Sequence, residues 1–182
     1  MSTLKTNAIT TVAGKPILNS TGGILQVVQT VKKDAWGTSS SGGTQWYEIP
    51  GFNATITPSS SSSKILVQGN LHLSTGYWEV QGRLTRNGTS IPGALGDVRG
   101  ARSVCTFADL TYSGGNSGYN WYNVTFQYLD SPGSTSVQTY GIYVNGYSTY
   151  SIGVNYNVFT DNNDEDYYGQ PISTITLMEI SG

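Results

Sequence analysis

The stretch Lys64-Ile65-Leu66-Val67-Gln68-Gly69-Asn70-Leu71-His72-Leu73-Ser74 decides the fold. Ile65, Val67, Gly69, Leu71 and Leu73 share one side of an extended chain. Gln68, Asn70, His72 and Ser74 share the other, with Leu66 the one large apolar residue among them. Successive strand side chains point to opposite faces, so this period of two describes a long strand with one face in a core. A helix would bring apolar residues back every three or four positions, and this stretch does not.

Downstream of it, Tyr77 to Arg86 is a second extended run in which Trp78, Val80 and Leu84 alternate with polar or small residues. Asn87-Gly88 then separates two extended runs, the signature of a two-residue hairpin loop whose central residues both need positive φ. Residues 102–112 read as a further strand. Tyr122, Val124, Phe126 and Tyr128 alternate with Asn123, Thr125 and Gln127 in the next, which ends at the turn Asp130-Ser131-Pro132-Gly133. A second Asn-Gly pair, Asn145-Gly146, predicts a hairpin joining 137–144 to 147–159. In the last run, 172–180, Ile175 and Leu177 lie on one side, Met178 and Ile180 on the other.

Upstream, Pro58 and five serines close off two short predicted strands, 46–49 and 52–57, and residues 37–43 read as a Ser/Gly loop. The run 24–31 carries Leu25, Val27 and Val31 on one side and Ile24 and Val28 on the other. Eight to ten short strands without helical periodicity predict an all-β sandwich, with a jelly roll the preferred form. Terminal strands that are apolar on both sides predict that one sheet face meets another copy of the chain. Residues 1–22, rich in Thr and Asn with only scattered apolar residues, read as an extended segment ordered by a neighbour, ahead of a head domain at 23–182.

Composition narrows the function. Over 182 residues, 11% are charged and the net charge is −2. That balance argues against nucleic acid, whose binding rests on Lys and Arg neutralising phosphates. No stretch approaches membrane-spanning length, and no basic-then-apolar leader opens the chain, so no membrane insertion or cleaved signal is expected. The 23 Gly and 13 Tyr, with abundant Ser, Thr and Asn, make a polar but uncharged surface.

Reactive chemistry is sparse. His72, the one histidine, sits mid-strand without a nucleophile elbow elsewhere. Cys105 alternates like a small core residue. Asp161, Asn163 and Glu165 have the alternate spacing of a calcium loop, but Asp166 stands where such a loop needs Gly, and the closing Glu is missing. Asp97, Asp109 and Asp130 are the carboxylates from which a glycosidase pair would have to be drawn. No cofactor, metal or catalytic residue is therefore expected. The aromatics are the one functional-looking group. Tyr119 and Trp121 follow the Ser/Gly tip 113–118 and Tyr167 flanks the acidic loop, a mixture suited to adaptable surface contact.

LQVVQT at 25–30, IPGFNATITPSSSSSKILVQG at 49–69, RLTRNGTSIPG at 83–93, YLDSPGSTS at 128–136 and STITLMEI at 173–180 form an ordered series. The series resembles fibre and appendage proteins of marine bacteriophages, whose C-terminal heads look like the trimeric C1q/TNF-type jelly roll. The resemblance implies a C1q/TNF-like head and a non-enzymatic homotrimeric knob at the virion surface. Residues 1–22 would hold it to other virion proteins. Trimer contacts are then expected from Leu177, Met178 and Ile180, and host-surface contact, with a glycan as the partner, from Tyr119, Trp121 and Tyr167. The alternatives are a capsid-decorating fibre without a receptor and a soluble carbohydrate-binding module.

Overall fold

The computed structural model describes residues 21–39, 45–76, 79–109, 121–146, 151–158 and 169–182. Among the described residues, eleven strands form two antiparallel sheets that face each other as a β-sandwich. The first sheet holds β1 (Ile24–Lys32), β2 (Trp36–Ser39), β4 (Lys64–Thr75), β8 (Trp121–Asp130), β10 (Ser151–Val154) and β11 (Ser173–Ile180). The second holds β3 (Tyr47–Ile56), β5 (Val80–Arg86), β6 (Thr89–Ser90), β7 (Phe107–Asp109) and β9 (Gln138–Gly146). The one helical element among the described residues is a 3-10 turn at Pro92–Ala94.

β4, the stretch quoted first, is the hub of the first sheet. β8 pairs along one side of it, from Ile65 opposite Asp130 to Ser74 opposite Trp121. On its other side β11 pairs with 64–70 and β10 with 73–75, so the sheet forks. β1 lies beyond β11 on one tine and β2 beyond β10 on the other. Between the tines Asn155, in left-handed backbone at φ 60, acts as the stitch. Its side-chain amide donates to the carbonyls of Lys32 (2.9 Å) and Asp34 (3.2 Å), and its oxygen accepts from Ser173 Oγ (2.6 Å). Ser173 Oγ in turn accepts the His72 amide (3.0 Å).

The inward residues are those that the alternation selects. Ile65, Val67, Leu71, Leu73, Val124, Phe126, Ile175 and Leu177 meet Phe52, Ile56, Leu84, Ile142 and Val144 of the second sheet. Burying each such side chain contributes about 1.5–3 kcal/mol. Gly69 and Gly82 are part of this packing. A methyl at Gly69 would overlap the ring of Phe126, and one at Gly82 the ring of Phe107. The two rings stack with centroids 6.0 Å apart and close the sandwich edge between β7 and β8. Glycine is thus required at both positions by the aromatic lying on it.

Several expectations hold and several need correction. Asn87 (φ 52) and Gly88 (φ 76) make the predicted hairpin turn between β5 and β6. Asn145-Gly146 makes none. Both residues stay in β9, opposite Gln81 and Val80, without positive φ, and the chain then passes to β10 in the other sheet. The two strands predicted at 46–49 and 52–57 are one bulged strand, β3, whose register shifts between Glu48 and Asn53 with Gly51 at φ 71. The predicted Ser/Gly loop begins with a strand instead, β2, where Gly37 leaves room for the Tyr156 hydroxyl. Of the described part of the strand predicted at 102–112, Phe107–Asp109 pairs and the rest does not. Residues before it loop back, held by Gly96 N–H to the Cys105 carbonyl and Arg83 Nε to the Val104 carbonyl. The segment 1–20, the tip 113–118 with Tyr119, and the acidic loop with Tyr167 lie outside the described residues.

Candidate functional site

Register builds the outer face of the first sheet row by row. Val27, Met178, Leu66 and Leu129 stand side by side across β1, β11, β4 and β8. Ile24 and Ile180 pair next to this row at the end where the described chain both enters and leaves. The following row is Gln29, Thr176, Gln68 and Gln127, linked sideways by Gln29 to Thr176 (2.9 Å) and Gln68 to Gln127 (3.3 Å). Then come Val31, Thr174, Asn70 and Thr125, and finally His72 beside Asn123. None of these rows carries Lys, Arg, Asp or Glu; Lys64 and Lys33 stand at the two ends of the face. Val27 is 56% and Leu129 46% exposed, so the single chain leaves a continuous apolar band in water. A face that combines such a band with no formal charge has the composition of an interface core.

This geometry divides the three residues assigned to subunit contact. Met178 and Ile180 lie on the outer face, half-buried. Leu177 does not: it points into the sandwich, 0% exposed, and is corrected to a core residue. The alternation of β11 makes the division unavoidable, because a contact made by Met178 turns Leu177 the other way. Trp121 opens β8 on this same outer face and is 38% exposed. It pairs with Ser74, ten positions along β4 from Lys64, which faces Ile180. At about 3.3 Å per residue, Trp121 stands roughly 33 Å from the end at which β1 starts.

The ionisable groups inside the sandwich are occupied structurally. Asp130 accepts from Arg86 Nη1 (2.6 Å) and from the Tyr140 hydroxyl (2.7 Å), tying β8 to β5 and β9 across the two sheets. Burial, and then the Asp130 carboxylate, push the Tyr140 phenol well above its ordinary range. Lys32 Nζ, buried, reaches Asp34 (2.6 Å) and the Pro50 carbonyl (2.9 Å). Burial raises the Cys105 thiol, which keeps it protonated and unreactive. The His72 ring makes no hydrogen bond among the described residues, and no group of three metal-ligating side chains occurs among them.

Glu179 is the buried acid that the sequence reading passed over. It is 0% exposed on the inner side of β11 and accepts from Ser59 N (2.7 Å), Ser59 Oγ (2.6 Å) and Gln26 Nε2 (2.6 Å). Desolvation opposes its charge. The hydrogen bonds outweigh it and pull the pKa from 4.5 to about 2. A depressed carboxylate stabilises the fold fully above its unfolded pKa, and that stability is lost as pH falls through the folded one. Between pH 5 and pH 2 the head should therefore lose up to about 3 kcal/mol through this group. Urea unfolding of wild type and Glu179→Gln across that range checks it: the wild type should show the extra acid sensitivity, and parallel pH profiles would refute the role.

No family model matches the chain, and no curated protein matches it either. Among solved structures, that of infectious bursal disease virus, Gx strain, aligns with 90% of this chain at 14% identity and a TM-score of 0.38. The Gt strain aligns with 85% at 14% identity and 0.36. The VP2 subviral particle of the same virus aligns with 86% at 13% identity and 0.30. This chain spans 36–39% of the length of those chains. The likeness is distant and concerns the β-sandwich alone.

Proposed function

We propose that the chain is a non-enzymatic virion structural protein, the head of a homotrimeric fibre or knob displayed for attachment to a host surface. The uncharged outer face of the first sheet, with its apolar row through four strands, carries this reading. A face of that kind is stable in water only when another surface covers it, and closed symmetric association of identical copies is the usual solution. Three copies follow from the resemblance to C1q/TNF-type heads. The first sheet runs β1-β11-β4-β8 along one tine, and the second runs β3-β9-β5-β6.

Attachment follows from polarity. An anchor through residues 1–22 would sit beside the start of β1, which leaves Trp121 at the opposite, outward end. Tyr119 and Tyr167 belong to the same proposed contact. Three copies of a weak glycan site on one head gain avidity without new contacts. Sedimentation equilibrium of the purified head should return a trimer mass at micromolar concentration, and excess head should slow adsorption of particles to host cells. A monomer mass refutes the trimer. A trimer that fails to compete makes passive decoration of a capsid the better reading.

A further inference from the structure

We infer that the outer face of the second sheet, around Arg83, is a contact site for a glycan unit bearing a single carboxylate, of the uronic-acid class. This names a ligand for the attachment reading above and rests on it for its biological role. On this face Trp46, Arg83 and Tyr143 are partly exposed and Glu48 is exposed. One row crosses it: Glu48 on β3, Tyr143 on β9 and Arg83 on β5. Trp46, just before β3, reaches over β9, and its ring centre lies 3.8 Å from the Arg83 guanidinium carbon. Arg83 Nε donates to the Val104 carbonyl at 2.8 Å.

The guanidinium is thus held by a ring against its face and a carbonyl at one edge. Among the described residues no acceptor takes its terminal amino groups. A planar fork of N–H donors, fixed in advance, matches the two oxygens of a carboxylate and loses little freedom on meeting one. Trp46 and Tyr143, both half-buried, supply ring surface of the kind that covers the apolar side of a sugar. Glu48, exposed on the same face, supplies a carboxylate for its hydroxyls.

Surrounding charge narrows the ligand further. Glu48 lies in the row itself, Glu79 is hydrogen-bonded to Gln81, and Asp109 stands opposite Val80. This ring of acids repels a densely charged polyanion far more strongly than a glycan with one carboxylate on each hydroxylated ring.

Tryptophan fluorescence of the purified head, titrated with trigalacturonic acid, maltotriose and inorganic phosphate, tests the site independently of virions, so its failure is separate from failure of the trimer or of adsorption competition. Trigalacturonate should produce a saturable change in the millimolar range that Trp46→Phe removes, and maltotriose should produce far less. Arg83→Lys, which keeps the charge and loses the fork, should weaken trigalacturonate binding by about tenfold at unchanged melting temperature. Should that variant fold poorly, Glu48→Gln provides the second measurement, with binding tightened by about twofold as a repelling charge is removed. The inference is overturned by absence of a saturable change, by equal affinity of the Arg83→Lys or Glu48→Gln head, or by phosphate binding as tightly as the uronate.

Discussion

Met178→Asp should turn the assembled head into folded monomers, while Leu177→Asp, one position away, should prevent folding altogether. Met178 is half-buried on the outer face, between Val27 and Leu66, so in a single chain a carboxylate there keeps access to water. In the proposed trimer the same carboxylate would be buried without a partner in every copy, at a cost of about 3–5 kcal/mol each. Association should weaken by at least a factor of about a thousand, since each 1.4 kcal/mol is tenfold. Leu177 lies in the core against the second sheet, where a charge removes packing and has no route to solvent. Sedimentation and circular dichroism of the two variants read the difference. A Met178→Asp head that remains trimeric means that another surface makes the assembly. A soluble, folded Leu177→Asp head contradicts the register.

Asn155→Ala should be the most damaging substitution of a polar residue. It leaves the carbonyls of Lys32 and Asp34 and the Ser173 hydroxyl without the partner that joins the two tines of the sheet. Each buried group so orphaned costs about 1–3 kcal/mol. Alanine at φ 60 adds about 1–2 kcal/mol of backbone strain. The sum is at least about 4 kcal/mol, and a melting temperature lower by about 10 °C or more follows for a domain of this size. Asn155→Gly loses the same hydrogen bonds without the strain, so it should recover about 1 kcal/mol of that loss. Differential scanning calorimetry separates the three proteins. An Asn155→Ala head melting within about 2 °C of wild type would show that the fork is held by packing alone.

Much of the sandwich is legible in the order of residues, because alternation is a local property. Ile65 to Leu73, Tyr122 to Tyr128 and Ile175 to Leu177 each state their own strand and their own two faces. Asn87-Gly88 states its own turn, since positive φ at both positions is satisfied within four residues. Asn145-Gly146 carries the same local signal and lies in a strand, because its pairing with Val80 and Gln81 is made by residues more than sixty positions away. Long-range pairing also overruled the start of the loop expected at 37–43, and residues 102–106 of the strand expected at 102–112 loop back instead.

The candidate sites divide in the same way. That β11 has two apolar faces, and that Leu177 and Met178 lie on opposite ones, follows from a period of two in the sequence. Which face turns inward depends on the sheet that covers it, and Leu177 meets the second sheet only through folding. Glu179 reads as an ordinary strand carboxylate until Gln26 and Ser59 are brought to it from the far end of the chain. Arg83 likewise becomes a fixed donor only when Trp46 and Val104 arrive from other elements. Spacing along the chain determined which residues share a face. Only the tertiary structure decided what each face meets, because burial and charge pairing depend on neighbours that the chain order does not supply.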